Sequence, residues 1–233
     1  MDLALLARLN EERAARRAAV LVTDLQSNTQ RLVLEKNIMT DALSALLSEA
    51  LRMGKSGVVE SGGHKVFLTV QSPVLRIIAI GAVHISQALV PMAKQLGHDV
   101  IVVDPREAFA SPERFPDVPV HAEWPDIVLP RLGADRYTAY LLLTHDPKID
   151  DPALHFALKS EAFYIGALGS RKTHGKRVER LQAMGFDDYA IKRIQAPIGL
   201  NIGAISPAEI ALSILGEITA RLRLKPDGTK IGN

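Results

Sequence analysis

The 233-residue chain contains no cysteine. That absence removes disulfides, thiolate zinc sites, iron–sulfur ligation and any thiol or persulfide chemistry carried by the protein itself, so any sulfur handled here belongs to a ligand or a partner. Long apolar runs are missing as well: nothing approaches the roughly 18 uninterrupted apolar residues of a membrane span. The N-terminus, Met1-Asp-Leu-Ala-Leu-Leu-Ala-Arg-Leu-Asn-Glu-Glu-Arg13, is a charged amphipathic pattern without a signal-peptide core or cleavage site, and the expected address is cytoplasmic. Nor is there an excess of one charge. The 28 lysines and arginines stand against 26 acids, a balance that does not support nucleic-acid binding. No two histidines share His-x-x-x-His spacing, so no protein metal site is expected. Neither Ser86 nor Ser170 has the neighbours of a nucleophile elbow. What is present, 47% apolar and 23% charged residues without repeats or low-complexity tracts, describes a soluble globular chain able to bury one core plus a small appended domain.

Residues 2–17 set leucines and alanines at helical spacing against Arg8, Glu11, Glu12 and Arg16, and 19–23 change to a strand pattern. Ser27-Asn28 reads as a hairpin turn into Arg31–Glu35. Thr40 or Asp41 is expected to cap a helix running through Met53, with Leu43, Leu46, Leu47, Ala50 and Leu51 on one face. Val58-Val59, the Gly62-Gly63 turn and Lys65–Val70 suggest a second hairpin. Residues 1–72 thus read as a small α+β N-terminal domain ended by Pro73.

From Leu75 the rhythm is that of a parallel sheet, with strands expected at 75–80, 99–103, 118–122, 138–144 and 162–166. Helices are expected at 85–96, 125–132, 151–159, 173–184, 187–193 and 206–223, the last opened by Ser206, Pro207 and Glu209 as cap, first helical residue and dipole partner. The fold class is therefore α/β, with a Rossmann-like ligand-binding domain over 73–225 and a flexible tail at 226–233.

Ligands of open parallel sheets bind beyond the carboxyl ends of the strands, which directs attention to the residues just after each strand. The first strand runs into Gly81-Ala-Val83-His84-Ile-Ser86, a dinucleotide fingerprint G-x-G-x-x-G in which Val83 and Ser86 replace the second and third glycines. The Val83 methyls should obstruct a pyrophosphate there, so the fold signal is strong and the ordinary NAD signal weak. Asp104 could bind vicinal hydroxyls and Arg106 a phosphate, or Asp104 could simply cap a turn and Arg106 pair on the surface. His84 and His145 are candidates for hydrogen-bonding a ligand or moving a proton, or are structural.

Gly166-Ala-Leu-Gly169-Ser170-Arg171-Lys172, followed by His174, Lys176 and Arg177, amounts to an anion cradle of backbone amides and cations, or else a glycine turn before a solvated basic helix face. In Pro197-Ile-Gly-Leu-Asn201-Ile-Gly-Ala204 two glycines bracket an amide able to meet a heterocycle, unless the loop is a connector held by the Asn201 side chain itself. The candidate binding set is Gly81, His84, Asp104, Arg106, His145, Gly166, Gly169, Ser170, Arg171 and Asn201, with no catalytic residue evident.

Five segments together resemble the XdhC/CoxF-like family, accessory factors of xanthine dehydrogenase and related molybdenum hydroxylases: Ile80–Leu89; Val103–Arg106 with Arg114-Phe-Pro116; Leu143–Asp146 with Asp150; Tyr164–Arg171; and Ala196–Ala204 through Pro207–Ala211. The likeness covers about 75–223. It implies a chaperone that binds the molybdenum cofactor (molybdopterin or its cytidine dinucleotide form), shields it, assists its sulfuration by a partner cysteine desulfurase and inserts it into an apo molybdenum hydroxylase. The chain departs from the family at Val83, where Gly is common, and at Asn201, where Asp is frequent. Residues 1–72 lack the glycine-rich segment and the cysteine of longer members, so roles tied to that domain are not carried over. The alternatives are an NAD(P)-dependent oxidoreductase, with Asp104 and Arg106 on the adenosine ribose, and a Rossmann-shaped adaptor. The leucine-rich stretches 2–17 and 42–51 are a candidate homodimer face.

Overall fold

The computed structural model describes residues 3–224 and divides the chain into two compact units, Met1–Pro73 with Leu222–Asn233, and Val74–Arg221. The expected tail at 226–233 lies outside the described residues.

The first unit is built on a four-stranded antiparallel sheet ordered β2-β1-β4-β3, from β1 (Ala19–Asp24), β2 (Gln30–Leu34), β3 (Gly57–Ser61) and β4 (His64–Gln71). It also carries α1 (Leu3–Ala14), a 3-10 helix over Glu35–Thr40, and α2 (Ser44–Met53). Leu47 of α2 packs on Val20, Val22, Val33, Ile38 and Leu68 in a small buried core. The helix opens two or three residues later than the sequence suggests, with Leu43 at its cap position and no side-chain cap among the described residues. Asp41 is engaged elsewhere: it takes both terminal nitrogens of the Arg31 guanidinium and the Leu43 amide, so it closes the preceding turn instead of capping α2.

The second unit is a six-stranded all-parallel sheet ordered β10-β9-β8-β5-β6-β7. Its strands are β5 (Arg76–Ile80), β6 (Asp99–Val103), β7 (Val120–His121), β8 (Thr138–Leu142), β9 (Tyr164–Ala167) and β10 (Ile194–Gln195). Numbered within the unit this is the doubly wound order 3-2-1-4-5-6. The central strands read Ile-Ile-Ala-Ile and Ala-Tyr-Leu-Leu and are wholly buried at those positions, as strands covered by helices on both faces must be. The connecting helices are α3 (His84–Gln95), α4 (Pro125–Leu132), α5 (Pro147–Lys159), α6 (Arg171–Ala183), α7 (Asp188–Ile191) and α8 (Pro207–Arg223).

Three differences from the sequence expectation have local causes. The strand expected at 118–122 shrinks to two residues beside Pro119, which cannot donate to a ladder. Strand β10 pairs through only two residues, so no apolar run announces it. Helix α5 begins at Pro147, four residues early, because Asp146 caps it by accepting the Lys148 amide at 2.9 Å and Pro147 occupies its first position. The start of α8 follows the sequence expectation: Ser206 accepts the Glu209 amide (3.2 Å), and Glu209 accepts the amides of Ser206 (2.8 Å) and Ile205 (2.9 Å).

Candidate functional site

Nine of the ten candidate residues follow strands of the parallel sheet and Gly166 lies within the second half of β9, all toward the carboxyl edge, but they fall into three groups. The first surrounds the ends of β5 and β6. Gly81 has φ +117°, and a Cβ there would stand 2.8 Å from Thr144 Cγ2 and 3.3 Å from the Leu143 backbone. Only glycine fits where the loops after β5 and β8 touch. Ser86, at the place of the third fingerprint glycine, is fully buried and donates its hydroxyl to the Gly81 carbonyl, so it pins the start of α3 to the turn.

Asp104, with no exposed surface, accepts the Ala82 amide (2.8 Å), the Arg106 amide (3.0 Å) and the Arg106 guanidinium at Nε (2.8 Å) and Nη2 (2.7 Å). Burial pushes its carboxyl up, but the Arg106 hydrogen bonds and the two amides outweigh it, and the group sits below the ordinary carboxylate range. The Arg106 guanidinium lies over the Phe109 ring at 4.3 Å. Arg114 donates to the Ala82 and Phe109 carbonyls and to Gln87. Asp104 and Arg106, read from the sequence as grips for a diol and a phosphate, are here mainly each other's partners. His84, the first residue of α3, is exposed.

The second group lies between the amino-terminal halves of α5 and α6. His145 has a left-handed backbone (φ +63°), uncommon for a residue with a side chain. With Pro147, Asp150, Lys172, Thr173, Lys176, Arg177 and Arg180 it lines a cavity of ≈ 290 Å³. Asp150 is 2% exposed and accepts the Thr144 hydroxyl at 2.6 Å. Arg180 pairs with Asp151 through Nε (2.6 Å) and Nη2 (2.9 Å).

The third group joins β9, α6 and the loop before α8. Ser170 caps α6 by accepting the Thr173 amide at 3.2 Å, with Gly169 (φ +127°) ahead of it. Gly166 makes room for Ile198, whose side chain would stand 2.5 Å from a Cβ at that position. A second cavity of ≈ 400 Å³ is lined by Leu168, Arg171, the segment 197–204, Ile210 and Ser213. Arg171 and Asn201, distant in sequence, both line it, and neither side chain has a hydrogen-bond partner among the described residues. The loop is not held by the Asn201 amide. One oxygen of Glu217 in α8 helps hold it, accepting the Gly199 amide at 2.8 Å and the buried Tyr164 hydroxyl at 2.5 Å, beside backbone bonds from the Leu200 amide to Ser213 and from the Ile198 amide to Ala167. Burial and the Glu217 carboxylate both push that phenol well above its ordinary range.

The expected single anion cradle is therefore split. Arg171 faces the larger cavity with Asn201, whereas Lys172, Lys176 and Arg177 face the smaller one with His145. Gly81, His84, Asp104 and Arg106 line neither. Sequence reasoning does not place Asp150, Tyr164 or Glu217 among the candidate binding residues. The capped Asp146-Pro147 pair could have located Asp150 in the first turn of α5.

Burial raises the Asp150 carboxyl to about 6, against the Thr144 hydrogen bond and the Arg177 charge, which lower it. The unfolded value is near 3.9, so the folded state holds an extra proton between the two values, and stability falls as pH rises from about 4 to about 6. Asp150→Asn keeps an acceptor for Thr144 and should stabilise the protein by about 2 kcal/mol at pH 7.5, with no gain near pH 4. Urea melts at both pH values check this; an equal change at both would refute it.

Among known proteins, the family model described as the XdhC Rossmann domain matches residues 77–218. The molybdenum cofactor insertion chaperone PaoD of Escherichia coli (strain K12) is 30% identical over 156 residues, 66% of this chain and 43% of that protein. A protein of Bacillus subtilis (strain 168) named as a probable xanthine dehydrogenase component is 30% identical over 154 residues, 66% of this chain and 44% of the relative. The uncharacterized protein YqeB of Escherichia coli (strain K12) is 28% identical over 208 residues, 84% of this chain and 38% of its own length. The chain thus spans about two fifths of these curated relatives. A crystal structure titled as a xanthine dehydrogenase from Bacillus halodurans superposes with a TM-score of 0.71 at 24% identity, covering 95% of this chain and 68% of that one, a likeness of fold.

Proposed function

This chain belongs to the XdhC family, and from that premise we propose that it binds the molybdenum cofactor as cargo, shields it, assists its sulfuration by a partner cysteine desulfurase and delivers it to an apo molybdenum hydroxylase. The observation that carries the reading is the presence of Arg171 and Asn201, neither with a side-chain partner among the described residues, in the lining of one cavity of ≈ 400 Å³. A pterin needs an amide able to donate and accept along its heterocyclic edge, apolar walls for its rings and a cation for its anionic end. Asn201, the side chains of Leu168, Ile198 and Ile210, and Arg171 meet those needs in turn. With no cysteine in the chain, the sulfur comes from the partner and the protein holds the acceptor.

The relationship to the PaoD chaperone supports the same reading. An NAD(P)-dependent oxidoreductase has less support, because the carboxylate expected to hold a ribose diol already accepts four protein hydrogen bonds.

The test is anaerobic loading with molybdopterin, gel filtration, and fluorescence of the oxidised pterin in the protein peak. Near-stoichiometric retention is expected, and Arg171→Ala should weaken it about tenfold, the worth of one partly exposed charge-assisted hydrogen bond. Pterin that never co-elutes with the wild-type protein would refute the reading.

A further inference from the structure

We propose that the smaller cavity, between the amino-terminal halves of α5 and α6, is a binding site for a dianionic tetrahedral oxyanion, of the phosphate-monoester or sulfate class, seated on Arg177 under Lys172 and Lys176. Arg177 is 2% exposed, which for an arginine requires partners. Its Nη2 donates to the Leu168 carbonyl at 2.8 Å, and its Nη1 has only a 3.5 Å contact with His174 Nδ1. Its Nε is buried and has no hydrogen-bond partner among the described residues. The guanidinium is thus fixed at one end and uncommitted at the other, in the wall of a cavity of ≈ 290 Å³.

Lys172 and Lys176, one helical turn apart, line the same cavity, and their ammonium groups have no hydrogen-bond or ion-pair partner among the described residues. Arg180 is different, since Asp151 already holds it. Two free ammonium groups above a half-used guanidinium, near the amino terminus of a 13-residue helix, form a site for a compact dianion.

Asp150 gives this site a proton linkage. Its carboxylate lines the same cavity and, when ionised, opposes an anion. The charged groups around it are Arg177 and Arg180 on α6, Asp151 on its own helix and Arg106 from the loop after β6; Asp146 lies beside it at the start of α5, and His145, Lys172 and Lys176 share the cavity wall. Protonation of Asp150 removes the opposing charge, so anion uptake and proton uptake go together. Burial and the Arg177 charge hold His174 below the usual imidazole range.

The chemistry could be supplied by the phosphate of the cargo proposed above, which would then lie here and not at Arg171, or by a free oxyanion. Only the assignment to the cargo rests on that proposal, because the test with inorganic sulfate needs no pterin. Sulfate stays dianionic from pH 5.5 to 7.5, and its binding to the full chain is followed by calorimetry. Saturable binding is expected, weakened roughly tenfold or more in Lys172→Ala/Lys176→Ala, whose changes fall on exposed positions. Wild-type affinity should rise as pH falls from 7.5 to 5.5. Asp150→Asn should bind sulfate about threefold or more tightly than wild type at pH 7.5 and lose most of that rise. Competition of sulfate with pterin retention assigns the site to the phosphate of the cargo, and independent binding of both assigns it to a free oxyanion. No saturable sulfate binding at millimolar concentration, or an unchanged affinity in the double variant, overturns the proposal.

Discussion

Asp104→Ala is expected to destabilise the protein by about 3 kcal/mol at pH 7, the lower part of the range for breaking a buried ion pair. The carboxylate is wholly buried, and its loss leaves the Ala82 amide without its acceptor at the turn after β5. Arg106 also loses its partner, but its side chain is 37% exposed and can turn to water, which keeps the cost from the upper end. The pH course distinguishes this from simple cavity formation. Because the folded-state carboxyl sits below its ordinary range, its contribution is present above about pH 4 and is lost as pH falls through the lower folded value. The difference between wild type and variant in urea melts should therefore be flat from pH 5 to 8 and shrink in stronger acid. A loss below 1 kcal/mol at pH 7 would contradict the part given to Asp104.

Gly199→Ala should cost about 3 kcal/mol or more and abolish pterin retention. Its φ of +90° is a conformation that residues with side chains rarely adopt, a strain of about 1–3 kcal/mol. The added methyl would also press on Ser213 Oγ and stand 3.1 Å from the Ile214 amide nitrogen, and crowding of that kind typically adds about 1–3 kcal/mol. Relief requires the loop to leave α8, which breaks the bond from the Gly199 amide to Glu217 and displaces the Asn201 wall of the cavity. Gly175→Ala is the control. That glycine lies within α6 with open space around it, so alanine should stabilise by about 0.5–1 kcal/mol. Thermal melts of both variants, with pterin retention measured beside them, check the contrast.

The central strands are legible because each is a five-residue ladder buried on both faces, which forces an unbroken apolar run. Strand β10 is not, since two paired residues beside Lys192 and Arg193 impose no such run. At the site, the sequence can place Asp104 at a strand end. It cannot reveal that Arg106, two residues on, folds back to consume the lone pairs a ligand would use. The basic run after β9 reads as one cradle when charge is counted without regard to helix phase. Lys172 and Lys176 share a face at a spacing of four, whereas Arg171 is about 100° away from Lys172. The tie from Glu217 to Gly199 and Tyr164 joins residues 18 and 53 positions apart, and no local pattern carries it.

That phase difference makes α6 a cam. Its rotational setting decides which cation each chamber receives, and the setting is fixed by the count of residues between the end of β9 and the Ser170 cap. Insertion of a single residue in that short connection would turn the helix by about 100° and re-deal the charges between the two chambers without altering one side chain. Selection on ligand choice can thus act through loop length as readily as through substitution.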